Sequence, residues 1–120
     1  MSAPRILCVS FDAAVSNIRS AALQHAGYSV VPTIKIAEAL ELLSRERFDL
    51  VLIGHRFSHE EKRSLATMAK QEFKTPVLLV REASVPPDIP ADAMVYALDG
   101  TSGILKAAEL LLAKARSAAA

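Results

Sequence analysis

Short apolar runs that alternate with amphipathic helical patterns are the feature that most constrains this chain. The runs lack polar alternation, as is typical of strands that are covered on both faces of a sheet. Between them, apolar residues recur every three or four positions, as they do on the inner face of a helix. This alternation predicts a three-layer α/β/α sandwich around a five-stranded parallel sheet. The predicted strands are 6–9, 29–31, 48–53, 77–80 and 93–98.

Length and composition indicate one domain with an aliphatic core. The chain has 120 residues, of which 52% are hydrophobic and 5% aromatic, and this length suits a single core. Fourteen basic and thirteen acidic side chains nearly cancel, so we expect no broad basic face for nucleic acid. No apolar run approaches the roughly 20 residues that span a bilayer, and the first residues lack a signal-peptide pattern. We therefore expect a cytoplasmic domain over residues 1–120, with no membrane partner and a frayed tail at 116–120.

Several residues mark where helices begin and end. Asp12 is suited to cap a first helix, and Gly27 stands where a helix often ends in a left-handed glycine. Ser58 and Glu61 have the spacing of a capping box for a third helix. The only cysteine, Cys8, lies inside the first strand and is expected to act as a small buried hydrophobe. The apolar face of the first helix is predicted to comprise Val15, Ile18, Ala22 and Ala26.

The connection between the fourth and fifth strands breaks the β–α alternation. Prolines at positions 86, 87 and 90 remove backbone donors and disfavour helical conformation before them. We predict a proline-rich loop, or at most one turn, in place of a full helix. The loss of that helix would leave a partly apolar patch for a protein contact, unless the loop folds down and covers it. The residues of this predicted patch are Val85, Pro87, Ile89 and Tyr96.

Four segments resemble strands of the bacterial response-regulator receiver domain, the chemotaxis-regulator-like version of the flavodoxin-like fold. They are ILCVSFD at 6–12, DLVLIG at 49–54, TPVLLVR at 75–81 and ADAMVYA at 91–97. Their order and spacing match the family over nearly the whole chain. The resemblance implies strand order 2-1-3-4-5 and a role in two-component or phosphorelay signalling through protein partners.

The positions that carry the family's chemistry have all changed. One carboxylate, Asp12, is left near the metal position, and a single carboxylate does not satisfy the coordination of magnesium. Without an acceptor carboxylate, no acyl phosphate can form. We therefore expect a degenerate pseudo-receiver that is not an enzyme, needs no cofactor, has lost magnesium binding and acts by protein–protein interaction. By register, the two metal-binding acids fall on Ser10 and Phe11, the phosphate acceptor on Gly54, the hydroxyl residue on Arg81 and the lysine on Ala97.

Several alternatives remain open at this stage. His55 could accept phosphate, being next to the lost acceptor. Arg81 could lie at the surface, or its guanidinium could fill the vacant space and pair with Asp12. A small-anion site of Arg56, Arg81 and His55, or a nucleotide site on a flavodoxin-like fold, is a further alternative. The alanine-rich last helix could pack against a second copy, so the sequence also leaves a homodimer open.

Overall fold

A five-stranded parallel sheet organises residues 3–82 and 88–119, the part of the chain that the computed structural model describes. The strand order is β2-β1-β3-β4-β5, which confirms the predicted topology. The strands are β1 (Arg5–Val9), β2 (Ser29–Thr33), β3 (Leu50–Ile53), β4 (Val77–Arg81) and β5 (Ala93–Tyr96). The helices are α1 (Ala13–His25), α2 (Ile36–Arg45), α3 (His59–Gln71) and α4 (Gly100–Ala119), and a 3-10 turn at Ala97–Asp99 precedes α4.

Helices cover both faces of the sheet, which explains why β1 and β3 can be apolar along their length. On one face, α2 and α3 pack against alternate residues of the strands, such as Leu7, Val51 and Leu79. On the other face, α1 and α4 pack against the intervening residues, such as Cys8 and Leu52. The predicted three-layer sandwich is confirmed.

The predicted helix caps are present. The Asp12 carboxylate accepts a hydrogen bond from Val15 N at 2.8 Å at the start of α1. Ser58 and Glu61 form a reciprocal capping box at the start of α3. Gly27 has φ of 102° just after α1, and the next amide, of Tyr28, donates to the Leu23 carbonyl at 3.1 Å. A side chain at position 27 would be strained at this φ.

The predicted inner face of α1 is wrong. Ile18 is 61% exposed, Ala26 is exposed, and Val15 and Ala22 are only half-buried. The helix instead buries Ser16, Arg19, Ser20 and Leu23. The helix is therefore rotated from the predicted orientation, and it carries a charged side chain toward the sheet.

The connection between β4 and β5 has no helix among its described residues, 82 and 88–92. Ile89 is 2% exposed and belongs to the core layer of α2 and α3. The prediction that Ile89 lines an exposed contact patch is therefore wrong, because the loop folds down at this point and buries that side chain. Val85 and Pro87 lie outside the described residues, whereas Tyr96 is 50% exposed.

The last helix is longer than predicted. α4 continues to Ala119, so the described residues of the predicted tail, 116–119, are helical. Its inner face includes Ile104, Ala108 and Leu112, which anchor it against the sheet. Among the described residues, no helix is both long and apolar enough to cross a membrane.

Candidate functional site at the carboxyl ends of β1 and β3

The sheet register brings the ends of β1 and β3 side by side. Val9 pairs with Ile53, and the Gly54 amide donates to the Val9 carbonyl at 2.8 Å. Ser10 continues β1 and donates its amide to the Thr33 carbonyl at 3.0 Å. Ser10 and Gly54 are therefore neighbours at the point where the strand order reverses, which is where α/β sheets commonly bind ligands. We call Ser10, Asp12, Arg19, Gly54 and His55 the strand-end site.

The Arg19 side chain from α1 fills the space beside Gly54. A side chain added at Gly54 would place its Cβ 3.0 Å from Arg19 Nη1 and 3.1 Å from the Val9 carbonyl oxygen. Arg19 is 8% exposed. It reaches this place because Asp12 fixes the start of α1, and residue 19 then faces the sheet. A guanidinium thus lies where a side chain at position 54 would extend.

Arg19 is a buried cation whose charge is only partly compensated. Burial lowers the pKa of its guanidinium, and the nearby Cys8 and Asp12 act in the opposite direction. Asp12 already uses one carboxylate oxygen to cap α1. Among the side-chain hydrogen bonds and ion pairs of residues 3–82 and 88–119, none involves the Arg19 guanidinium.

The positions that the family resemblance assigns to the metal-binding acids carry few ligands suited to a magnesium ion. Ser10 is fully buried, and its hydroxyl lies 3.8 Å from the Cys8 sulfur. Phe11 is 47% exposed, and the Arg56 guanidinium carbon lies 5.8 Å from the centre of its ring. Within the described ranges, no group of three or more His, Cys, Asp or Glu residues is arranged to hold a metal ion. Magnesium needs several oxygen ligands, and Asp12 is the one carboxylate among residues 10–12.

Cys8 has the expected role of a small buried residue. It is fully buried between β1 and the α1–α4 layer. Burial raises the pKa of its thiol, which keeps the sulfur protonated and unreactive.

His55 and Lys62 complete the surroundings of the strand-end site. The His55 side chain is 15% exposed, with Nε2 3.7 Å from Glu82 Oε1 and with Nδ1 buried and without a hydrogen-bond partner. Lys62, 9% exposed on α3, donates from Nζ to the His55 carbonyl at 3.3 Å. Burial lowers the pKa of His55, the charge of Arg19 adds to this effect, and Glu82 opposes it.

Arg81 and Ala97 lie toward the other edge of the sheet. The Arg81 guanidinium carbon lies 5.0 Å from the centre of the Tyr96 ring, and its Nε donates to the Glu82 carbonyl at 3.3 Å. Ala97 is in the 3-10 turn and packs against the α1–α4 layer. These contacts draw Arg81 toward β5, and the arginine beside Gly54 is Arg19.

Sequence reasoning missed Arg19 and Lys62 for the same reason. Both are charged residues on the inner faces of helices, where the argument from apolar periodicity expects none. The spacing of these residues could have predicted their burial, because position 19 lies four residues before Leu23 and position 62 lies three residues before Leu65. Residues at these spacings share one helical face.

The fold is similar to that of solved receiver domains. A CheY-like response-regulator receiver domain from Methanospirillum hungatei superposes with a TM-score of 0.82 and 20% identity, covering 97% of this chain and 98% of that one. A response regulator from Thermotoga maritima gives a TM-score of 0.78 and 23% identity over 92% of this chain and 98% of that chain. A chemotaxis response regulator of Vibrio cholerae gives 0.77 and 21%, over 92% and 99%. No family model and no curated protein sequence matches the chain. The chain therefore has the CheY-like receiver fold.

Proposed function

We propose that this chain is a pseudo-receiver, a module of two-component or phosphorelay signalling that binds a protein partner and does not itself accept phosphate. The fold supports the signalling role, because solved structures to which it is similar are receiver domains. The altered strand-end site supports the loss of phosphorylation. Fold alone does not fix function, so the second argument carries the proposal.

The observation that carries it is the position of Arg19 beside Gly54. Position 54 offers no carboxylate. The Cβ of an acceptor side chain at this position would lie 3.0 Å from Arg19 Nη1. Phosphoryl transfer needs a positioned nucleophile and, in this fold family, a metal that neutralises charge on the phosphoryl oxygens. The buried Ser10 and the phenyl ring of Phe11 provide no carboxylate for such a metal. Both requirements are therefore unmet.

His55 is a weaker candidate for a phosphate acceptor. Its ring is 15% exposed, and Nδ1 is buried. The other ring nitrogen faces Glu82 at 3.7 Å, and this acid would repel an approaching phosphodonor. The buried Nδ1 is therefore not accessible to a phosphodonor.

The partner surface that we favour is the exposed apolar side of β5 and the turn after it. Met94 is 40% exposed, Tyr96 is 50% and Leu98 is 99%. Met94 and Tyr96 are two residues apart on an edge strand and so point to the same side. Arg81 stacks on Tyr96 and adds a charged group to its edge. Aromatic and arginine side chains are frequent anchors of protein interfaces.

Covalent modification is the test of the phosphorylation claim. The protein is incubated with Mg²⁺ and acetyl phosphate, and its intact mass is recorded beside that of a receiver domain that accepts phosphate. We expect no mass gain. A stoichiometric phosphate adduct would overturn the pseudo-receiver proposal, and the site of the adduct would identify the acceptor.

Co-purification from the native host tests the partner surface. We expect a specific partner to be retained by the wild type and lost from Tyr96→Glu. Ile18→Glu is the matched control, because Ile18 is also exposed but lies on α1, away from β5. Equal retention by both variants would place the interface elsewhere.

A further inference from the structure

We propose that α1 pairs with α1 of a second copy of this chain, in antiparallel orientation, and that the domain self-associates weakly through this contact. α1 packs against β1 and β2, whereas the partner surface proposed above includes β5, the strand at the opposite edge of the sheet. A dimer through α1 therefore leaves that surface free. The two proposals are independent, and each can fail without the other.

The outward face of α1 has the residue spacing that is typical of a buried helix face. Ile18 is 61% exposed, and Ala14, Ala21 and His25 are exposed with it. These four positions follow one another at intervals of four, three and four residues, which is the a/d spacing of a coiled-coil seam. An amphipathic helix packs such a stripe against another element. We call these four residues the α1 seam.

No Asp, Glu, Lys or Arg is exposed on α1, all of whose residues the structure describes. The exposed residues beside the seam include Asn17 and Gln24, whose amides can donate and accept hydrogen bonds. The other three helices each expose charged side chains, such as Glu41, Arg63 and Lys106. Charged residues are depleted in the cores of protein interfaces. The outward face of α1 therefore has the composition of an interface core.

The order of large and small residues along the seam is complementary to itself. When two such helices pack antiparallel, an a position of one lies against a d position of the other. Ile18 then lies against Ala21 of the copy, and His25 lies against Ala14 of the copy, so each larger side chain faces a small one. A two-fold axis repeats both contacts, as in most dimers. In a parallel pair, Ile18 would face its own copy and the alanines would leave gaps.

α4, the helix that the sequence left open for a second copy, is less suitable. Leu110 is 64% exposed on its surface, but Lys106 and Lys114 are exposed one turn before and one turn after it. An antiparallel copy centred on Leu110 would bring Lys106 of each chain toward Lys114 of the other. Like charges that face each other oppose association. The α1 seam meets no such repulsion.

The length of α1 limits how strong the contact can be. Its 13 residues extend over about 20 Å, and a helix is about 10 Å wide. Phe11, which is 47% exposed just before the helix cap, extends this surface slightly. Two such surfaces bury well under the roughly 1,200 Å² of stable complexes. We therefore expect a dissociation constant of about 0.1–1 mM.

Amide NMR and rotational diffusion of the whole chain test the self-association, at protein concentrations from about 0.02 to 2 mM, which bracket that constant. We expect the apparent mass to rise from that of one chain toward that of two, with concentration-dependent shifts at residues 14–25. Ile18→Glu should weaken the self-association at least about tenfold, because it places a charge against an alanine of the copy. Leu110→Glu is the matched control, because Leu110 is as exposed as Ile18 but lies on α4. Its self-association should stay within about twofold of the wild type, since a screened charge far from the contact has little effect.

Disulfide formation tests the orientation of the two helices. Cys8 is fully buried and so does not interfere. A mixture of Ile18→Cys and Ala21→Cys should form mixed disulfide dimers in preference to dimers of either variant with itself. Preferential linking of Ile18→Cys to itself would overturn the proposal, because that outcome indicates a parallel pair. The proposal would also be overturned by an absence of self-association at the highest concentration, by equal weakening in Ile18→Glu and Leu110→Glu, or by shifts centred on α4 or β5.

Discussion

Replacing Arg19 with methionine should stabilise the domain in the absence of phosphate and sulfate. The unbranched methionine side chain is as long as the arginine stem from Cβ to Nε, so the packing of that stem is largely retained. It removes a guanidinium that is 8% exposed and whose pKa is lowered by burial. Replacing buried charge with apolar atoms of similar volume is often stabilising by about 1–4 kcal/mol. The favourable interaction with Asp12 would be lost, and we therefore expect a net gain of about 1–2 kcal/mol.

Urea unfolding in a chloride buffer measures this change. With a slope of about 2 kcal/mol per molar urea, the midpoint should rise by about 0.5–1 M. Arg45→Met is the control, because the Arg45 side chain is 62% exposed and pairs with Glu41 at 3.4 Å on the helix surface. Its unfolding free energy should change by less than about 0.5 kcal/mol.

A loss of about 1 kcal/mol or more in Arg19→Met would refute this reasoning. It would mean that the guanidinium makes net favourable contacts in the chain itself.

Three further changes test other parts of the structure. The folded-state pKa of His55 is lowered, so the unfolded chain binds the proton more readily, and stability should fall as pH drops below about 6.5. Urea unfolding at a series of pH values measures this dependence of stability on pH. The dependence should be lost in His55→Gln and kept in His25→Gln. Ile89→Ala should cost about 2–4 kcal/mol because the side chain is 2% exposed in the core, and a loss below 1 kcal/mol would show that the loop does not pack there. Asp12→Ala should cost about 1 kcal/mol through the lost cap, whereas Asp12→Asn keeps a capping side chain; equal losses would mean that the charge of Asp12 matters more than its hydrogen bond.

The sequence was sufficient to predict the sheet, because its strands are buried on both faces and require uninterrupted apolar runs such as Leu50–Ile53. Capping residues correctly predicted where α1 and α3 begin. The side chains of Asp12 and Ser58 accept hydrogen bonds from amides only three residues later, so the signal is local in sequence. The site was predicted less well. Apolar periodicity oriented α1 by Ile18, whereas packing buries Arg19. Tertiary contacts decide which face of a weakly amphipathic helix is buried.

Introducing an aspartate at position 54 should not make the domain accept phosphate, because the neighbouring Arg19 is positively charged. The Cβ of the new side chain would lie 3.0 Å from Arg19 Nη1. Its carboxylate should therefore pair with the guanidinium and be unavailable as a nucleophile. Ser10 and Phe11 would still offer no metal ligands. We therefore expect Gly54→Asp to show no mass gain with Mg²⁺ and acetyl phosphate. Phosphorylation of Gly54→Asp would show that an acceptor carboxylate can react despite Arg19. The guanidinium would then not be what prevents phosphorylation.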